Sequence, residues 1–468
     1  MKKRRLQGFW AELFESIFIG AFIGAVVGTY QLTMQYAVKG SHYMYSSKNP
    51  WVIIGMIVAV AGIAVMSHFI LKKNPGVRGS GVPYMEHSIQ QDHYINWTRE
   101  LPLMLINSVA SGFAGMPLGS EGPSVVLGGK TAEMVEDFVN AGEDDTVVMG
   151  FGTGFGCAVL SPLAGLCYIF EEALKKFNFK FFLRGIAMMV SAYLVTSLLN
   201  DHSVFHVHEW IEEGTMPVLP FKHFYVFAFL IIINIILGCG FSKGLTAAKN
   251  LFEKHKDKFW SKNFGFVIFA VVLVLNFVCF SWMGSGAHII EEITDFDNIW
   301  ILVALLAFRF VITIFAGTDR VTGGVVIPML TLGAIGGQIV CLACNKLLGL
   351  PAEYNQVVVL MSMAIIFTVV NKTPVTSSVL FLSAVIYAVK HSAESVSVGQ
   401  FFTTFVDYLP MLVMNTVAIV VATIVSKLFV KDGLYHMLLH VDMHHGNVTH
   451  HQDHNDVPVE PYLTHEEA

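Results

Sequence analysis

Charged side chains are scarce in this sequence: of 468 residues only 14% are Asp, Glu, Lys or Arg, against 54% hydrophobic, and mean hydropathy is +0.60. So little polar surface excludes an ordinary soluble domain and predicts a polytopic membrane protein. Long polar stretches are lacking too. Apolar runs recur around residues 10–38, 50–71, 101–117, 147–170, 181–199, 223–242, 264–283, 299–316, 324–349, 356–388 and 409–430, leaving no room for a large soluble domain. No cleavable signal is recognisable, because MKKRR leads into the amphipathic WAELFESIF and an apolar run without a small-residue cleavage site. That basic cluster predicts a cytoplasmic N-terminus. The six cysteines all lie in apolar runs, where a thiol behaves as a small hydrophobe. Cys341 and Cys344 form a CxxC without further ligands nearby, so no metal or redox centre is expected. The net charge of −6 says little about partners, since many of the acids lie in short loops and the tail, and no nucleic-acid partner is expected.

What the sequence does have is glycine and proline in the middle of apolar runs. A plain spanning helix needs about 20 apolar residues, yet several runs are shorter, longer or interrupted. Some helices must start or stop inside the membrane. Five candidate starts place a proline just after small or polar residues: GSGVP (Pro83), GSEGP (Pro123), LSPLAG (Pro162), GGVVIP (Pro328) and NKTPVT (Pro374). Proline suits the first turn of a helix, where its missing N–H costs nothing.

Two pairs of these starts share spacing. Gly119 to Gly128 and Gly324 to Gly333 both read GxxxPxxxxG, and Ser161-Pro162-LAG resembles Thr373-Pro374-VTS, the second member of each pair following slightly over 200 residues later. The spacing predicts an inverted repeat, with residues 1–200 as first half, 201–220 as connection, 221–440 as second half and 441–468 as a His-rich cytoplasmic tail.

A helix N-terminus inside the membrane presents unpaired N–H groups and the positive end of its dipole, so several converging starts would hold a small anion. Glu121 of GSEGP then has a physical role. Its carboxylate is itself an anion, able to occupy those donors when charged and to leave them when protonated, which links anion entry to proton uptake.

These motifs together resemble the CLC family of chloride channels and chloride/proton exchangers: GSGVP, GSEGP, SPLAG running into FEE, GGVVIP and the late tyrosine of DGLYHMLL, in order over about residues 10–440. The resemblance implies an all-α fold of tilted, interrupted helices in two inverted halves, and a homodimer with one anion pathway per subunit, moving chloride and protons with no cofactor. It implies Glu121 as gate and proton carrier, Glu172 as inner proton relay, and Ser80, Tyr435 and the N–H groups of Val325 and Val326 as anion contacts. Gly79, Gly81, Pro83, Gly119, Gly122, Pro123, Gly324 and Pro328 are the motif positions that shape the loops. A bacterial inner or cell membrane with both termini cytoplasmic is expected. The paired regulatory nucleotide-binding domains of larger relatives are not expected after residue 440.

Glu172 favours an exchanger, since many channels of the family carry an apolar residue there; the alternative is a solvated acid beside Lys175 and Lys176. Three departures stand out. Ser120 replaces the usual Arg or Lys, Val326 the usual Phe, and Met104 a buried Lys that would pair with Glu86. A passive channel and a fluoride/proton exchanger therefore stay open, though Ser80 argues for chloride over nitrate and mildly against fluoride. From another class, an intramembrane hydrolase would use Ser80 as nucleophile and His87 as base. Arg309, within an apolar run, is expected to snorkel or cap carbonyls. The tail carries His436, His440, His444, His445, His450, His451 and His454 with Asp442 and Asp453, a set able to bind zinc, nickel or copper or to sense cytoplasmic pH, but without a fixed ligand spacing it is expected to be disordered, solvated and dispensable for transport.

Overall fold

Proline and glycine divide the apolar sequence into helices of uneven length. The computed structural model describes residues 8–90, 96–139, 144–174, 179–199, 216–391 and 398–446. In chain order the helices are α1 (Phe9–Tyr45), α2 (Pro50–Lys73), α3 (Val82–Gln90), α4 (Trp97–Phe113), α5 (Glu121–Val139), α6 (Asp144–Ala158), α7 (Pro162–Tyr168), α8 (Phe179–Leu199), α9 (Val226–Lys254), α10 (Phe259–Lys262), α11 (Phe264–Cys279), α12 (Ala287–Glu291), α13 (Ile299–Ala316), α14 (Val326–Leu348), α15 (Asn355–Asn371), α16 (Pro374–His391), α17 (Val398–Lys427) and α18 (Leu434–His444). Among the described residues nine helical segments are long and apolar enough to cross a membrane.

All five proline-led starts are helix starts. α3, α5, α7, α14 and α16 begin at the proline or at most two residues before it. The run 147–170 is broken where Leu160 turns left-handed and Ser161 caps α7, its Oγ accepting from Ala164 N–H. The run 356–388 is broken at Lys372, also left-handed, before Pro374 opens α16.

The centre of the molecule is built from α5, α6, α14 and α15. Residues 121–132 of α5 and 326–338 of α14 are all buried, as is almost the whole of α15. The second glycine of each GxxxPxxxxG motif explains its spacing. A Cβ at Gly128 would lie 2.7 Å from Gly154 Cα on α6, and one at Gly333 would lie 3.3 Å from Met363 Cα on α15. Small residues let helix backbones close in where lipid offers no hydrophobic drive for association. The outer helices do the opposite: Trp51, Val58, Val274, Val278 and Trp300 are among many large apolar side chains left exposed. Water would penalise such a belt, whereas hydrocarbon accepts it.

Arg309 is fully buried in α13, where its guanidinium donates to the carbonyls of Gly284 (2.6 Å), Ser285 (2.7 Å) and Trp282 (3.4 Å). It caps an irregular turn, as expected of a lone arginine in an apolar run.

Candidate functional site

Three of the loops carrying the motifs meet at one point. Gly79 N–H donates to Val321 O (3.1 Å) and Gly79 O accepts from Gly323 N–H (2.8 Å), while Gly119 and Gly324 each donate to the other's carbonyl at 2.7 Å. A Cβ added at Gly122 would lie 2.7 Å from Ser80 Cβ and 3.0 Å from Gly324 Cα, so backbone touches backbone there. Gly79 and Gly81 both adopt positive φ (55° and 73°), a turn that L side chains resist, and they hold Ser80 between them. Ser80, Gly122 and Gly324 each sit within two residues of the start of α3, α5 or α14. The first-turn N–H groups of those helices, which have no intrahelical acceptors, therefore gather around the junction.

Glu121 is the first residue of α5 and is fully buried. Its Oε1 lies 2.9 Å from Ser120 Oγ, and Ser120 Oγ in turn lies 3.0 Å from Gln31 Oε1 on α1. A hydroxyl carries one proton, so Ser120 donates to only one of these acceptors at a time. Gln31 is held in place by Nε2 donating to Ser124 Oγ (2.9 Å), and Ser124 Oγ donates to Ser120 O (2.9 Å). A Cβ at Gly119 would meet Glu121 Oε2 and lie 3.2 Å from Ile327 Cβ, so a side chain there would have to push the Glu121 carboxylate aside. Gln31 went unread in the sequence, although a glutamine within the apolar run 10–38 is the kind of signal that marks it.

Ser80 Oγ accepts from Val82 N–H (3.3 Å), leaving its proton to donate elsewhere. His87 lies about 10 Å further along at 1.5 Å per residue, which speaks against a nucleophile and base pair. Val325 and Val326 are buried at the start of α14. Tyr435, buried in the first turn of α18, belongs to a helix that packs against both α3 and α15. A Cβ at Gly433 would come within 2.7 Å of Asn371 O, which fixes where α18 begins.

The acid pair of FEE falls in a π-helical turn, Ile169–Leu174, a widened geometry common at functional positions. Glu171 is committed to structure: its carboxylate accepts from Val375 N–H (2.8 Å), Thr376 N–H (2.7 Å) and Thr376 Oγ1 (2.7 Å), capping α16. The Glu172 side chain lies outside the described residues, as do Lys175 and Lys176. The start of α7 also meets α16 here, Ser161 Oγ lying 2.7 Å from Ser383 Oγ.

At the position of the missing lysine, Met104 is fully buried, and a Cβ at Gly81 would come within 2.6 Å of its Cε. A different lysine is buried close by. Lys130 of α5 pairs with Glu100 of α4 (2.8 Å) and donates to Gly76 O (3.1 Å), three residues before Gly79. Its charge is balanced by Glu100, so the loops gain a tether rather than a positive field. Glu86, the expected partner of a lysine at 104, is itself buried.

The sequence profile of the voltage-gated chloride channel family matches residues 63–390. The chain belongs to that family. Among curated CLC relatives it is similar to the H(+)/Cl(-) exchange transporters ClcA of Vibrio vulnificus (strain YJ016), 25% identical over 70% of this chain and 72% of the relative. The ClcA of Vibrio parahaemolyticus serotype O3:K6 (strain RIMD 2210633) is 26% identical over 71% of each chain. In fold it resembles a slow cyanobacterial Cl-/H+ antiporter, with a TM-score of 0.77 and 19% identity covering 93% of this chain and 99% of the other. A CLC-type fluoride/proton antiporter also shares the fold, with a TM-score of 0.66 and 17% identity covering 92% and 98%. The protein is thus an all-α, multi-pass membrane protein of CLC architecture.

At its C-terminal end this CLC chain remains ordered past residue 440, because α18 runs to His444. Asp442 pairs with Lys249 of α9 (2.6 Å), and His445 Nε2 lies 2.7 Å from Asn250 Oδ1. His450, His451, Asp453 and His454 lie outside the described residues. Among the described residues no group of three or more His, Cys, Asp or Glu could hold a metal ion.

Proposed function

We propose that this CLC protein exchanges chloride for protons, with Glu121 as gate and outer proton carrier and Glu172 as inner relay. The observation carrying the reading is the buried Glu121 carboxylate at the head of α5, beside the starts of α3 and α14. Ionised, it takes a hydrogen bond from Ser120 and occupies donors an anion would use. Protonated, it becomes a donor itself, and Ser120 accepts that bond by turning its own proton to Gln31 Oε1. The buried site thus satisfies both protonation states, which a carboxyl that cycles between them requires.

Chloride entering at the junction would displace the carboxylate, and a proton taken up from outside relieves the displaced charge. That proton then passes toward Glu172 as the anion moves on. Ser80, Tyr435 and the N–H groups of Val325 and Val326 are the proposed anion contacts. Relatives named as H(+)/Cl(-) exchangers support chloride as substrate. The chain is read as a homodimer of subunits in two inverted halves, with cytoplasmic termini in a bacterial inner membrane; the reciprocal Gly119 and Gly324 pairing supports the two halves.

Anion efflux from proteoliposomes of the purified protein, with simultaneous proton recording in chloride, nitrate and fluoride, tests the reading. A chloride gradient alone is expected to drive protons uphill. Chloride flux without proton movement would make the protein a passive channel, and coupling strongest with fluoride would make it a fluoride exchanger.

A further inference from the structure

Between the end of α2 and the start of α11 lies a cavity of about 320 Å³ lined by Lys72, Arg78, Lys262 and Arg320, with His68 and Asp319 as its other titratable groups. Four cations face one acid, and that acid is engaged already: Asp319 Oδ2 lies 2.5 Å from the ammonium of Lys249, which is almost fully buried. Lys262 lies 3.9 Å from Asp257, which is 94% exposed, so water screens that pair and little of the lysine's charge is neutralised. Arg320 donates through one terminal nitrogen to Glu253 (3.0 Å), yet its Nε is buried without a hydrogen-bond partner among the described residues. Arg78 Nε donates to Leu71 O (3.0 Å), which turns this guanidinium back toward the end of α2.

The position of the cavity says what could fill it. On α2, Val65 and Phe69 are 47% and 58% exposed, and on α11, Val267 and Val271 are 51% and 42% exposed. An apolar, outward-facing belt therefore ends where the basic cluster begins. That boundary is the depth at which a phospholipid carries its phosphate while its chains lie against the belt.

We propose that this cavity binds the phosphate of an anionic phospholipid. Guanidinium forks suit the oxygens of a phosphate diester, and the lysines at the rim add point charge. A zwitterionic headgroup would bring a further cation among four, so phosphatidylglycerol is preferred over phosphatidylcholine. The bound phosphate also has something to act on. Arg78 directly precedes Gly79 and Arg320 directly precedes Val321, the two residues joined by the Gly79 N–H to Val321 O bond. One phosphate spanning both arginines clamps the loops that present Ser80 and the start of α14.

The test uses the full chain in detergent micelles holding equal amounts of phosphatidylglycerol and phosphatidylcholine, with retained lipid counted by native mass spectrometry. Wild type is expected to retain phosphatidylglycerol about tenfold over phosphatidylcholine, and K72Q/K262Q to lose most of that preference. K72R/K262R, which keeps the charge, is expected to retain it, so that loss through misfolding is separable. Equal retention of the two lipids by wild type, or a preference unchanged in K72Q/K262Q, would overturn the proposal. So would thermal protection by inorganic phosphate without any preference for phosphatidylglycerol, which assigns the cavity to free phosphate. In proteoliposomes, phosphatidylglycerol is expected to raise anion flux in wild type and not in K72Q/K262Q. That arm rests on the proposed transport function; the lipid count does not.

Discussion

Gly119 and Gly324, which stand at matching places in the two GxxxPxxxxG motifs, donate to each other's carbonyls at 2.7 Å. A reciprocal pair is what a two-fold relation between segments produces: each residue gives and receives the same bond. The pair also fastens the loop before Glu121 to the loop before Val325, so the proposed gate and the proposed anion donors at the start of α14 are held together.

Ser120 sets how easily Glu121 stays charged. Ser120→Ala removes a bond to the ionised carboxylate worth about 1.5–3 kcal/mol and one from the protonated carboxyl worth about 0.5–1.5 kcal/mol, so the ionised form loses more. The protonated form then persists to higher pH, and the pH midpoint of chloride flux is expected to rise by about one unit. Flux measured in proteoliposomes between pH 4 and 9 checks this; an unmoved or lowered midpoint would remove Ser120 from the gate.

Glu121→Gln imitates the protonated side chain permanently. It can neither compete as an anion nor carry a proton, so chloride movement is expected to become passive and nearly independent of pH, with proton flux lost. Residual coupling in this variant would mean that another group carries the proton.

The two acids of FEE are expected to separate cleanly. Glu171→Gln weakens three hydrogen bonds to the start of α16 and should cost about 1–2 kcal/mol of stability while leaving coupling intact. Glu172→Gln should leave thermal stability nearly unchanged and abolish uphill proton movement with chloride flux retained. Thermal melts and proton recording on both variants decide, and a reversed pattern would exchange the roles.

Lys130→Met leaves the Glu100 carboxylate buried without its cation, a change expected to destabilise the fold by about 3–5 kcal/mol. Removing both charges, in Lys130→Met with Glu100→Leu, should recover most of that loss. A fall in thermal midpoint for the single variant and recovery in the double is the expected pattern.

Much of this protein was legible in the chain because membrane folding leaves strong local marks. Apolar runs longer or shorter than a bilayer span, and proline just after glycine or serine, reflect needs of the single helix: hydrocarbon contact, and a first turn that lacks nothing when an N–H is missing. These marks located all five interrupted starts and drew attention to Glu121, whereas Ser80, Val325 and Val326 were expected only from the family resemblance. Contacts across sequence distance left no such mark. Nothing local says that Gln31 lies beside Ser120, that Glu171 caps a helix beginning at Pro374, or that Lys130 pairs with Glu100 beneath Gly76. Each pairs a buried polar group with a partner from another helix, and only packing decides which partner a group meets. The sequence by itself determined where helices begin and which residues are costly to bury; the tertiary structure decided how each of those costs is met.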